Sequence, residues 1–225
     1  MNGAVKIIGF GLAALAAAGA YTVVGERVEE KHVLRGFVEA VAAVKKTQDV
    51  KEAALQARFK QIDVDRFMQA SGLASSADIV DGRAELARYR ALLVERDALT
   101  ESGMAQLHRV LDALPAGRFR EQARRGSATA EARDHELQAA LDRAQVANAD
   151  AVQAVFDWAD RNHAIVHARG TGLVVDGQAQ LDELKALDAR VSQTGQAVDE
   201  SLRDATTLRA EATKKLGRLQ DDLAR

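Results

Sequence analysis

The chain has 225 residues, no cysteine, one proline and a formal net charge of −2. Without thiols it has no disulfide, thiolate metal site, cysteine nucleophile or acceptor for an N-terminal lipid, and without a basic excess it has no footprint for nucleic acid. Its 47% apolar content leans on Ala, Leu and Val with only 4% aromatics, which suits long helices with a narrow seam better than a thick globular core.

Met1 to Lys6 is a short basic start, and Ile7 to Val24 is an apolar run. As a helix that run spans roughly 27 Å, close to the hydrocarbon core of a bilayer. Two readings place the remainder across a membrane. A cleaved signal peptide would use Ala18-Gly19-Ala20 as the small-residue cleavage site before Tyr21. A retained anchor would continue through Val24 and keep Lys6 on the cytoplasmic side, since Glu26 to Lys31 carries no basic excess to reverse it. The alternative is a buried helix of a cytosolic domain. The expected organisation is a signal anchor or signal peptide over 1–24 and one extracytoplasmic helical-bundle domain over 25–225. The expected location is a bacterial inner membrane with the C-terminal part in the periplasm, or the periplasm after cleavage near Ala20.

Val28, Leu34, Phe37, Val38, Val41 and Val44 predict a helix continuing out of the apolar run. Asp49 then opens a shorter helix, with Glu52 completing a capping box and Leu55, Phe59, Ile62 and Phe67 facing inward. Ser75 or Ser76 caps a helix running to Leu114 through Leu86, Tyr89, Leu93, Met104, Leu107 and Leu111, stopped by Pro115. After Gly126, Ser127 caps another through Leu137, Leu141, Ala144, Val152, Val155, Phe156, Ala159 and Val166, with Gly170 as its left-handed terminator. Arg169 to Gly177 holds a β-prone trio between glycines, read as an extended piece laying Leu173 and Val175 on the bundle, or as a recognition loop. From Leu181 to Leu223 apolar residues recur at coiled-coil spacing: Leu181, Leu184, Val191, Val198, Leu202, Ala205, Ala212, Leu216, Leu219 and Leu223. The expected fold is all-α: an elongated antiparallel bundle of about four packed helices, with a very long C-terminal helix and an N-terminal membrane segment.

Chemistry-bearing residues are few. Asp160, His163 and His167, at i, i+3 and i+7, would share one helix face and supply three metal ligands if His108 or His135 closed the site from another helix. Histidines favoured by a helix C-terminal dipole are the simpler account, and no metal or other cofactor is expected. Arg118, Phe119, Arg120, Arg124 and Arg125 follow Pro115 as lipid-contact candidates: arginines for lipid phosphates and a phenyl ring for the interface, or else a solvated bundle end. The chain holds no Gly-x-Ser-x-Gly, Ser-x-x-Lys, P-loop or His-Glu-x-x-His, and Asp63 with Asp65 reads as a charged turn, so no enzyme is expected.

Between Val155 and Val191, the helix end Phe156-Asp157-Trp158-Ala159, a Gly-containing turn, the extended Leu173-Val174-Val175-Asp176 and then Leu181-Asp182-Glu183-Leu184 resemble an uncharacterised family of helical Gram-negative envelope lipoproteins with no assigned activity. The resemblance implies compartment and architecture. Ala17-Ala18-Gly19-Ala20 looks like a lipobox whose acceptor cysteine is replaced by Ala20, so lipid anchoring is not implied. The expected role is structural or interactive, with an envelope protein or a second copy held through the coiled-coil seam. A ligand-sensing bundle acting through a membrane partner is the alternative.

Overall fold

The structure, a computed structural model, describes residues 28–224; the apolar run at 7–24 and the cleavage site near Ala20 lie outside the described residues. Among the described residues no helix is long and apolar enough to cross a membrane. The chain is mostly helical: α1 is Val28–Phe59, α2 Val64–Phe67, α3 Ala70–Leu73, α4 Ser76–Asp112, α5 Arg118–Arg161 and α6 Gln178–Ala224. Between α5 and α6 stands an antiparallel hairpin of β1, Val166–Arg169, and β2, Gly172–Val175. Its 47 residues make α6 roughly 70 Å long.

The helix boundaries correct two expectations. No break occurs at Asp49: α1 runs through it, and Lys45 Nζ binds Asp49 Oδ2 across one turn at 2.6 Å. The seam of α1 continues because Gln48 occupies a buried position between Val41 and Leu55 at helical spacing. Ser127 caps nothing: α5 begins nine residues earlier at Arg118, and Ser127 is buried inside it, its hydroxyl donating to Glu131 one turn on. The inward stripe of this first stretch is Phe119, Ala123, Ser127 and Ala130, two of them fully covered although small or polar. Ser75 does cap α4, accepting from the Asp78 amide at 3.3 Å.

The packing divides into two compact units, the first containing 57–94 and 140–202, the second 28–56, 95–139 and 203–224. In the first, Phe59 meets Tyr89 edge-on with ring centroids 5.8 Å apart, and Trp158 and Phe156 are completely covered. Ion pairs tie neighbouring helices in antiparallel order: Arg83 to Asp157 and Asp160, Arg90 to Asp150, and Arg161 to Glu183. The short α3 packs on both strands of the hairpin, and Val166 is the buried end of β1. Gly170 is the first of two residues in the hairpin turn, with φ 62°, as type II′ connections require. It therefore turns a hairpin and does not end α5, which stops at Arg161.

Gly82 of α4 faces the Phe156 ring so closely that an added Cβ would lie 2.6 Å from its edge and 2.8 Å from Phe67 Cβ. Gly82→Ala should cost about 1–3 kcal/mol through overpacking. Gly36 sits in α1 with open space around it, so Gly36→Ala should gain about 1 kcal/mol from helix propensity alone. Urea midpoints of the two variants should move in opposite directions.

In the second unit one apolar cluster joins Leu34, Phe37, Val38 and Val41 of α1, Leu107 and Leu111 of α4 with Leu114 beyond it, Ala123 of α5, and Leu208, Ala212 and Leu216 of α6. Phe37 and Phe119 close it edge-to-face at 6.1 Å and 82°. The coiled-coil spacing of α6 is reproduced by burial: Val191, Val198, Leu202, Ala205, Ala212 and Leu216 are buried, Leu181 and Leu184 half-buried. Leu208, which the heptad reading omits, is buried as well. Leu219 and Leu223 lie outside the residues whose side chains are described.

Candidate functional site

Asp160, His163 and His167 do not share a helix face. Because α5 ends at Arg161, Asp160 is its penultimate residue, His163 begins a 3-10 turn and His167 lies on β1. Their side chains have different partners. Asp160 takes Arg83 Nη1 at 3.0 Å, His163 Nδ1 lies 3.0 Å from the Asp160 carbonyl oxygen, and His167 Nε2 is 3.3 Å from Asp176 Oδ2. Among the described residues no group of three metal-ligating side chains is assembled. His135 is an exposed residue of α5, and His108 belongs to the other end of α4.

The least expected feature is a set of charged and polar side chains inside the second unit. Arg96 of α4, Asp134 of α5, Arg209 of α6 and Gln48 of α1 are all buried. Each takes a seam position that its neighbours fill with apolar residues, as Ala205 and Ala212 do around Arg209. Arg209 Nη2 donates to Gln138 Oε1 at 3.0 Å, and its Nε lies 3.7 Å from Asp134 Oδ1, an ion pair longer than a hydrogen bond. Gln48 is accommodated by Gly103, where an added Cβ would come within 3.3 Å of its amide.

The electrostatics follow from burial. Desolvation pushes the Asp134 carboxyl above the usual carboxylate range, against the opposing pull of Arg209. Desolvation likewise holds the Arg209 guanidinium below its usual range; Asp134 and Glu52 counter this, and Arg96 reinforces it. Arg96, Arg209, Asp134 and Glu52, two arginines and two carboxyl residues, thus come from four different helices. Buried ions cost several kcal/mol each when unpaired.

The arginine cluster lies on the first two turns of α5. Arg124 binds Asp112 at the end of α4, with Arg120 Nη2 4.0 Å from the same carboxylate. That hydrogen bond from Arg124, helped by the charges of Arg124, Arg120 and His108, holds Asp112 below the ordinary carboxylate range. Arg118 and Arg125 are exposed. Phe119 turns toward Phe37 and is partly buried against the apolar cluster.

Beside the cluster a half-open cleft of about 280 Å³ lies between α4 and α5. His108 Nε2 approaches Glu131 Oε2 at 3.0 Å, and Ser127 Oγ donates to Glu131 Oε1. The carboxylate stands between hydroxyl and imidazole, an order in which the imidazole is spent on Glu131 and does not take the serine proton. What the arrangement offers a guest is a polar wall with Arg124 at one side.

Burial raises the Asp157 carboxyl, but hydrogen bonds from Gln153 and Arg83 with the charges of Arg83 and Arg161 outweigh it, leaving Asp157 below its ordinary value. Asp157 therefore holds its proton more weakly folded than unfolded, so its contribution is complete above the ordinary carboxylate range and is lost as pH falls through the folded value. In Arg83→Gln the deficit in Tm should be greatest near neutrality and vanish in acid. A deficit independent of pH would contradict the bridge.

Compared with protein-family models, curated proteins and solved structures, the chain matches none.

Proposed function

We propose that this chain is a non-enzymatic helical-bundle protein of the bacterial envelope with a structural or protein-interaction role. In this reading an antiparallel bundle of about four long helices stands on the periplasmic side, tethered through 7–24 or released after Ala20. The observation that carries it is α6, a 47-residue helix whose seam from Val191 to Leu216 is covered by the chain's own helices. A helix so placed has one side engaged and the others outward. Contact with another envelope protein then falls to those outward faces and to the hairpin, whose turn Arg169 to Gly172 is exposed. Pairing with a second copy through the seam itself would require the bundle to open.

A photoreactive residue at Thr171, compared with one at exposed Glu200 on α6, tests this in intact cells. Adducts of defined mass at one position are expected. Their absence at both positions, with the protein folded and present, would count against an interaction role. The second reading, a ligand-sensing bundle working through a membrane partner, draws on the cleft beside Glu131. It requires thermal stabilisation that grows with ligand concentration, which the first reading does not.

A further inference from the structure

The apolar cluster of the second unit brings three chain segments together: residues 33–38 of α1, the α4–α5 connection with Leu114 and Phe119, and the stretch of α6 around Ala212 and Leu216. Each segment carries cations on its outward side. Arg35, Arg118, Arg125, Lys214, Lys215 and Arg218 are exposed. From Arg109 to Arg125 five arginines stand against two carboxylates, Asp112 and Glu121, and Asp112 is already engaged by Arg124. Glu39, Glu211 and Asp221 interrupt the surface without reversing its sign.

The same segment of α1 follows the apolar run closely. From Val24 to Val28 an extended chain reaches at most roughly 14 Å, and from Val28 to Phe37 the helix rises about 13 Å. The contact of Phe37 with Phe119 thus fixes the first turns of α5 within a few nanometres, along the chain, of any bilayer holding residues 7–24.

We propose that this basic end, centred on Arg118 and Arg125, docks on an anionic phospholipid surface. The proposal rests on the reading of 7–24 as a membrane segment and adds a second, electrostatic contact to it. Arginine suits this partner because its planar guanidinium binds phosphate oxygens two at a time, and its side chain is long enough to reach headgroups from a helix surface. Phe119, partly buried against Phe37, anchors the turn that carries the arginines on either side of it.

The test uses the full chain with vesicles of phosphatidylcholine alone and of equal parts phosphatidylcholine and phosphatidylglycerol, at low and high salt. Flotation of the wild type should favour the anionic vesicles, with the preference shrinking in salt. Each surface arginine contributes about five-fold, so Arg118→Gln with Arg125→Gln should reduce the preference roughly 25-fold while leaving association with neutral vesicles unchanged. In Leu15→Arg, which interrupts the apolar run, neutral-vesicle association should be lost and the salt-sensitive anionic preference retained. Weak wild-type association with neutral vesicles would sink the membrane-segment reading and leave the basic surface standing. Equal partition of the wild type between the two vesicles, or a preference untouched in the double arginine variant with an unchanged circular dichroism spectrum, would overturn the docking surface.

Discussion

Arg209→Ala is expected to destabilise the second unit by about 3–5 kcal/mol, one of the two largest single-residue effects in the chain. The reason is what it leaves behind. Asp134 is buried with its carboxyl already raised by desolvation, and Arg209 is foremost among the groups that oppose that rise. Removing the guanidinium strands a carboxyl group in the core and removes the hydrogen bond to Gln138. The folded value of Asp134 then climbs further, so the variant should regain stability as the pH falls through the raised carboxylate range. Replacing both partners, Asp134→Leu with Arg209→Met, should return stability to within about 1 kcal/mol of the wild type, because neither charge remains to be solvated. Urea unfolding of the two single variants and the pair supplies the cycle. A small effect of Arg209→Ala at neutral pH would mean that water reaches this layer.

The second large effect belongs to the first unit. Trp158 is completely covered, and Trp158→Ala should cost about 3–5 kcal/mol through lost transfer energy and the cavity left behind. Among the described residues its indole N–H has no acceptor. Trp158→Phe should therefore cost clearly less than Ala, since it removes the unpaired donor together with only part of the volume. Because Trp158 is the chain's one tryptophan, unfolding is followed by circular dichroism and not by fluorescence. Equal losses in the two variants would show that the indole matters for something other than filling space.

Most of the helical layout was legible in apolar spacing. The α6 seam and the cap and stop of α4 at Ser75 and Pro115 are strong signals because each rests on several residues agreeing. The misreadings share a cause. Gln48, beside the Asp49 that predicts a helix start, sits on the seam of α1, and Ser127, which predicts a cap, sits on that of α5; a polar residue ordinarily marks a boundary. Here both face inward, where Gly103 makes room for one and Glu131 accepts from the other. Reading Arg96, Asp134 and Arg209 at seam spacing as a set, with charges of both signs on separate helices, was the signal that would have found the layer.

The hairpin was half legible. Leu173-Val174-Val175 announced β2, but its partner Val166–Arg169 continues the register of α5 and read as helix. Only tertiary pairing with β2 distinguishes the two, and the reassignment separates Asp160 from His167. The lipid-contact arginines were readable as a cluster; their position beside residues 33–38 of α1 was not, because it depends on how α1 packs on the α4–α5 connection.

α6 closes its seam on its own chain. Thr194 of α6 donates to Asn148 of α5 at 3.0 Å, and the chain contains no cysteine of its own. In the variant Asn148→Cys with Thr194→Cys, a short thiol cross-linker should produce a monomer of increased electrophoretic mobility, independent of protein concentration. A covalent dimer without the intrachain product would contradict the account and place a second chain on that seam.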